Sequence, residues 1–269
     1  MSLKTHVIGA VAYDPKVVTI WEGMREHFRE QGFPIDFALY SNYERSVEAL
    51  LEGKVDIAWH TPLAHVRVQR RTDGKSLSLG MRDSDRDFRA KIVVRADAGI
   101  RSLQDLHGKM LAVGSRDSTQ ARILPLYFLR KEGIDLKRVE LLPFDTDLGK
   151  HGDTGTSELD VLAALKAGRA QAGTVGDLIW ANEQAAGRID ANRLQVLWTT
   201  PPFDHCSFDA LPSLPREAAE GFQRALFAMK WENPRHRPVL EMEGLREWLP
   251  ARDSGYVTLR EALDQEGYW

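Results

Sequence analysis

Short apolar runs alternate along this chain with longer stretches in which apolar residues recur every three or four positions. The short runs predict strands and the periodic stretches predict amphipathic helices. Residues 7–11 read as a first strand, followed by a helix over 17–31 that turns Val18, Trp21, Met24 and Phe28 inward. A second strand over 35–40, a helix over 44–52 capped by Asn42, and a third strand ending at Trp59 complete a first unit. A second unit repeats the scheme with strand 110–113, helix 118–132, strand 139–143, helix 156–167 (apolar at Leu159, Leu162, Ala163 and Leu165) and a strand over 170–175. In both units a helix, a glycine, a basic residue and a strand follow one another, at Gly53-Lys54 and Gly168-Arg169, which is an internal echo. Strands at 91–94 and 194–198 lie between the units. The chain returns past the stiff Thr199-Thr200-Pro201-Pro202 break through a strand at 206–208 and a helix over 216–229.

Apolar strands joined by helices pair in parallel through right-handed crossovers. The expected architecture is therefore α/β with two lobes, residues 1–92 plus 203–269 and residues 93–202, joined by two crossings with a cleft between them. Ligands of such sheets bind outside the carboxyl ends of the strands. That singles out the loop holding Tyr13, the loop holding Tyr43, and His60-Thr61-Pro62. In the second unit the corresponding turn runs from Gly114 to Gln120, where glycine ends the strand and Asp117, Ser118 and Thr119 are all helix-cap candidates. Pro125 should break or kink that helix early, and Gly133 should stop it. Free N–H groups at the positive end of a helix dipole, beside two hydroxyls, suit a phosphate-like or carboxylate anion; the same residues also serve as ordinary caps.

Composition narrows the classes. A net charge of −3 over 269 residues argues against a nucleic-acid surface or a polybasic membrane contact. No apolar run approaches the roughly 20 residues that span a bilayer. The single cysteine, Cys206, leaves no internal disulfide. No charged segment followed by an apolar one precedes the first strand. The expected location is the periplasm if a signal peptide has been removed, and the cytoplasm otherwise.

A longer set of residues resembles the type II periplasmic solute-binding proteins, in particular the phosphonate/phosphite/phosphate-binding proteins of ABC importers. It comprises Glu48-Ala49-Leu50-Leu51-Glu52-Gly53-Lys54-Val55-Asp56-Ile57-Ala58-Trp59, Thr61-Pro62-Leu63, Val93 to Ile100 and Ser102-Leu103-Asp105-Leu106-Gly108-Lys109. Ser118-Thr119, Pro125, Leu129, Gly133-Ile134-Asp135 and His151 complete it. The resemblance implies a protein that closes over a small polar anion, an oxyanion or carboxylate, and passes it to an ABC permease. It places ligand contacts at Ser118, Thr119, Thr61, His151 and Asp177. This chain departs from the family where His60 replaces a small turn element and where Gln120 replaces a glycine, and both join the candidate contacts.

The same fold also houses cytosolic lyase- and synthase-type enzymes, which keeps a second reading open, with His60, His151, His205 and Cys206 as candidates for chemistry. No nucleophile set or paired carboxylates accompany them, so catalytic residues and cofactors are expected to be none. Metal ligands are also expected to be none: eight histidines show no HExxH spacing, and a site would need His60, His151 and His205 to converge from three loops. Adjacent strand residues face opposite ways, so Cys206 and His205 are not expected to meet, and Cys206 reads as a small buried hydrophobe. Residues 83–87 read as an exposed loop, and most of the remaining histidines as solvated. Residues 145–156 read as a loop at the sheet edge, either a plain connection or one that binds through His151 and Thr154, and Trp231, Trp248 and Trp269 read as packing.

Overall fold

The structure, a computed structural model, describes residues 4–151 and 155–268; Thr154 and Trp269 lie outside the described residues. In chain order the larger elements begin with β1 (His6–Val11), α1 (Lys16–Glu30), β2 (Ile35–Tyr40), α2 (Tyr43–Leu51), β3 (Ile57–His60), α3 (Pro62–Arg71) and β4 (Leu77–Arg82). There follow β5 (Ala90–Arg95), β6 (Met110–Val113), α4 (Leu124–Lys131), β7 (Glu140–Pro143), α5 (Thr156–Lys166), β8 (Ala172–Gly176), α6 (Asp177–Ala185) and β9 (Leu194–Thr199). The last are β10 (Ser207–Ala210), α7 (Arg216–Phe227), α8 (Arg237–Glu243), β11 (Trp248–Leu249) and α9 (Val257–Glu266).

These elements form two compact units, Met1–Asp87 with Asp204–Tyr256, and Phe88–Phe203 with Val257–Trp269. The division differs from the expected one in two ways. β5 stays whole inside unit 2, because it is hydrogen-bonded along its length to β8 and β9. The C-terminal helix α9 also belongs to unit 2, so the chain passes between units three times rather than two. α9 buries Leu259, Ala262 and Leu263, and Glu261 accepts a 2.9 Å hydrogen bond from the Tyr127 hydroxyl of α4.

The sheets repeat one topology. Unit 1 has the order β11-β4-β10-β3-β1-β2 and unit 2 the order β7-β6-β8-β5-β9. In each, the strands of the expected βαβαβ run are parallel: β1 with β2 and β3, β6 with β7 and β8. In each, the next strand is the first one laid down after the chain enters the unit from the other, and it runs antiparallel: β10 on β3, and β5 on β8. The echo seen in the sequence is thus a repeated sheet order. α3, β4, α6, α8, β11 and α9 go beyond the sequence expectation.

Unit 1 packs Ile8, Trp21, Met24, Phe28, Phe208, Phe222 and Trp248 into one core. Trp248 thus packs as expected, and Trp231 lies half-buried against the same core. Unit 2 has cores on the two faces of its sheet, one around Leu111, Val113 and Leu129 and one around Val161, Leu162 and Leu165. Two predicted helix faces are rotated. α1 buries Val17 and Ile20 and leaves Val18 exposed, and α5 buries Val161 and Ala164 and leaves Leu159 and Ala163 exposed. The expected solvated histidines are mostly inside: His6, His27, His65 and His236 are buried. Asp85, expected in an exposed loop, is 1% exposed, because it pairs with buried Arg82.

Candidate functional site

In unit 2 the turn after β6 is shaped by Gly114 and Pro125. A Cβ at Gly114 would lie 2.5 Å from the Ala121 Cβ, so no larger residue fits while the helix approaches this closely. Pro125 has no N–H for the carbonyl four residues back, which is that of Ala121. The freed carbonyl accepts instead from the Gly114 N–H at 3.0 Å and from the Thr174 hydroxyl, tying the helix start to the ends of β6 and β8. The first turn relaxes into a π-turn over Thr119–Ile123, with the Ile123 N–H donating to the Ser118 carbonyl at 2.9 Å. This is the break expected from Pro125, placed ahead of it.

Ser118 is the cap: its Oγ accepts from the Ala121 N–H at 3.1 Å, and its own O–H remains to donate. Thr119 is fully buried and its Oγ1 has no hydrogen-bond partner. An orphaned hydroxyl at the head of a helix costs stability unless something binds there. Gln120 is also buried, its Nε2 donating to Glu158 at 3.1 Å, while the other Glu158 oxygen accepts from the Gly176 N–H at 2.6 Å.

The loop after β7 closes over the same turn. Asp145 accepts from the Arg116 N–H at 2.8 Å, and the Asp147 N–H donates to Ser115 Oγ at 3.0 Å. Asp147 in turn caps α5, accepting from the Ser157 N–H at 2.7 Å. Asp117 accepts from the Gly149 N–H at 2.8 Å and lies 3.7 Å from Nε2 of His151, which is buried with a left-handed backbone at φ 54°. Ser118, Thr119 and Gln120 therefore sit together at the helix head, with His151 beside Asp117 of the same turn. Asp177 starts α6 beyond β8, where it forms an ion pair with Lys91.

Unit 1 gathers Tyr43, His60 and Thr61 at the carboxyl end of its own sheet. Thr61 is the buried cap residue of α3, with Pro62 in the first helical position. Tyr43 opens α2, fully buried, edge-on to the His60 ring at 6.4 Å. Tyr13 stands apart on the β1 loop, half-buried beneath Lys16.

His60 does not point toward solvent. It is 0% exposed, and its Nδ1–H donates to Asp209 at 2.9 Å while Nε2 accepts from the Ser46 hydroxyl at 3.1 Å. The other Asp209 oxygen accepts from His65 Nδ1 at 2.6 Å. Burial pushes the Asp209 carboxyl up, but the His65 charge and the hydrogen bonds from both histidines override it and hold it below its usual value. The network ties the first turns of α2 (Ser46) and α3 (His65) to β10, so His60 orients those helix heads from behind. Asp209, Ser46 and His65 were not anticipated. The available signal was a carboxylate in the middle of an apolar strand, Phe208-Asp209-Ala210.

His205 and Cys206 do meet, contrary to expectation: Cys206 Sγ lies 3.1 Å from His205 Nδ1. β10 starts only at Ser207, so strand alternation does not govern this pair. Cys206 is buried beside the unit 1 core as expected. His60 lies with Asp209, His205 with Asp85 and His151 with Asp117.

Residues 9–256 match the family model of ABC transporter, phosphonate, periplasmic substrate-binding proteins. The chain belongs to that family. Among its relatives is a probable ABC transporter phosphite binding protein, PhnD1, of Prochlorococcus marinus (strain MIT 9301), 24% identical over 230 residues, covering 82% of this chain and 74% of the relative. The structure of PhnD1 from the same organism in complex with methylphosphonate superimposes with a TM-score of 0.76 at 20% identity, covering 99% of both chains. XAC2383 from Xanthomonas citri, bound to ATP, gives a TM-score of 0.74 at 18% identity over 98% of this chain and 97% of that one. At these identities the structural likeness shows the α/β periplasmic-binding-protein fold. No helix among the described residues is long and apolar enough to cross a membrane.

Proposed function

We propose that this chain binds a small phosphorus oxyanion, phosphite or a short alkylphosphonate, at the turn from Gly114 to Gln120. The observation that carries the reading is the buried Thr119 hydroxyl without a partner, beside the Ser118 O–H at a helix head. An oxyanion accepts from both hydroxyls and from the turn amides, and charge-assisted bonds of this kind are among the stronger ones. Gln120, held by Glu158, and His151, beside Asp117, define the rim of that seat. Asp177, at the carboxyl end of β8, stands as a further contact of this seat, and Thr61, Tyr43 and Tyr13 follow the carboxyl ends of strands in unit 1, where His60 positions Thr61 from behind. The names of the relatives, phosphite binding and a methylphosphonate complex, support the ligand class.

Titration calorimetry with phosphite, methylphosphonate, phosphate and an alkanesulfonate tests this. Binding of the phosphorus oxyanions is expected, weakened about tenfold or more in Thr119→Val and again in Ser118→Ala, since a hydrogen bond to a charged group contributes about 1.5–3 kcal/mol. Unchanged affinity in the double variant would show that the two hydroxyls only cap the helix. The same proposal assigns an ABC permease as partner and the periplasm, reached by a signal peptide, as location. Stimulation of the transporter's ATPase by the liganded protein, and fractionation of expressing cells, check these two points.

A further inference from the structure

We propose that Asp85, His205 and Cys206 form a site in unit 1 for a single thiophilic divalent metal ion, with zinc(II) the best fit. One ligand atom from each residue lies within 4.8 Å of the others. Cys206 Sγ is 3.1 Å from His205 Nδ1, which is 3.2 Å from Asp85 Oδ1. Metal–ligand bonds of about 2.0–2.3 Å in a tetrahedron set neighbouring donors roughly 3.3–3.7 Å apart, so the Cys206–His205 and His205–Asp85 pairs need to spread by only a few tenths of an ångström, while Cys206 and Asp85 stay within 4.8 Å of each other. All three residues are buried, with Asp85 1%, His205 5% and Cys206 0% exposed.

The surroundings hold the donors in place. Arg82 donates to Asp85 through Nε at 2.6 Å and Nη2 at 2.9 Å, and is itself held by the Glu243 carbonyl at 2.8 Å. A carboxylate has about four acceptor positions, so Asp85 keeps capacity for an ion while Arg82 fixes its plane. The His205 backbone is pinned from both sides: its N–H donates to the Asp85 carbonyl at 2.8 Å, and its carbonyl accepts from the Tyr256 hydroxyl at 2.9 Å. Charge closes as well. With Cys206 bound as thiolate, its proton released to solvent, Asp85, Glu243 and Cys206 carry three negative charges against the one positive charge of Arg82. A divalent ion restores neutrality in this buried pocket. A sulfur, a nitrogen and an oxygen donor select a borderline-soft ion and reject magnesium and calcium, which take oxygen ligands. A water completes the tetrahedron.

The location gives the ion a task. Asp85 lies just before the chain leaves unit 1 at Asp87, and His205 and Cys206 lie just after it returns at Asp204. The ion ties two segments 120 residues apart in sequence into one fixed corner of unit 1.

Cobalt(II) reports directly on this site, because Cys206 is the only cysteine in the sequence and any sulfur-to-cobalt charge-transfer band must come from it. The chelator-treated full chain should develop such a near-ultraviolet band, saturating at one equivalent and displaced by zinc(II). Zinc(II) should raise the melting temperature of the wild type but not of Cys206→Ala, and His205→Gln should bind cobalt at least tenfold more weakly. Absence of the band from folded wild-type protein overturns the proposal, and does so even if every variant fails to fold. So does a zinc-induced melting shift of equal size in a folded Cys206→Ala protein.

Discussion

Asp209 and Gly114 show how single residues support the two helix heads. Asp209→Asn removes the charge around which His60 and His65 are arranged, at a fully buried position. Losing a hydrogen bond to a charged group typically costs about 1.5–3 kcal/mol. Urea unfolding of Asp209→Asn should show a loss of that order, and His60→Asn, which keeps the Asp209–His65 pair, a smaller one. The sign of the pH effect follows from the depressed Asp209 carboxyl: its contribution is complete above the ordinary carboxylate value of 3.8 and is lost as pH falls through the lower folded value. Asp85, held at about 2 by the Arg82 charge and the His205 hydrogen bond against the cost of burial, acts in the same direction between pH 3.8 and about 2. At Gly114 the obstacle is steric. A methyl group there would meet the Ala121 Cβ at 2.5 Å and Ser157 Oγ at 3.0 Å, and the Ala121 Cβ is fixed to its helix and cannot turn away. Gly114→Ala should therefore destabilise the protein by about 1–3 kcal/mol and displace the turn, so that oxyanion affinity measured by calorimetry falls as well.

At the scale of elements, α1, α7 and α8 are joined by a pair of buried histidines. The Lys230 N–H donates to His236 Nδ1 at 3.0 Å, which puts the ring proton on Nε2, directed at His27 Nδ1 at 3.2 Å. His27 Nε2–H then donates to the Ala225 carbonyl of α7 at 2.7 Å. Both rings are satisfied when neutral, and a further proton would face an N–H donor in either ring. Burial accordingly lowers both values below the ordinary 6.5. The unfolded chain takes up protons first, so this contribution is complete above pH 6.5 and is lost as pH falls below it. The melting temperature of the wild type should drop between pH about 7 and about 5, the range in which an unperturbed histidine titrates. In His27→Gln that drop should be shallower, with a lower melting temperature at pH 7. A slope unchanged by the substitution would place the acid sensitivity elsewhere.

At the scale of the whole molecule, the same sheet order is built twice, and each unit receives its antiparallel strand from the segment that has just arrived from the other. The two units are therefore covalently interleaved, and neither is a continuous stretch of sequence. α9 is the clearest consequence: it follows unit 1 in the chain but packs on α4 through Leu259, Leu263 and the Tyr127–Glu261 hydrogen bond. Deleting residues 257–269 should lower the stability of unit 2 while leaving unit 1 intact. Hydrogen exchange should then show lost protection in α4 and β6, and unchanged protection in β1 and β3.

The sequence by itself determined the repeated βαβαβ scheme, because apolar periodicity and turn chemistry are local properties, and its motifs carried the resemblance to the family. Met110-Leu111-Ala112-Val113 followed by Gly114, Ser118 and Pro125 announces a strand, a tight turn and an interrupted helix without any distant partner. Tertiary structure alone decided what depends on residues far apart in the chain. Asp209 comes from β10 and joins His60 and His65, about 145 residues earlier, so neither stretch reveals that the histidine faces inward. Helix faces illustrate the same limit: Val18 and Leu159 fit the apolar spacing yet are exposed, because the neighbouring layer, not the helix, chooses which side is covered. Cys206 meets His205 because β10 begins one residue later than the apolar run suggests, a boundary that pairing with β3 and β4 establishes. Periodicity is written along the chain, whereas burial of a polar group requires its partner, and the partner is brought by the fold.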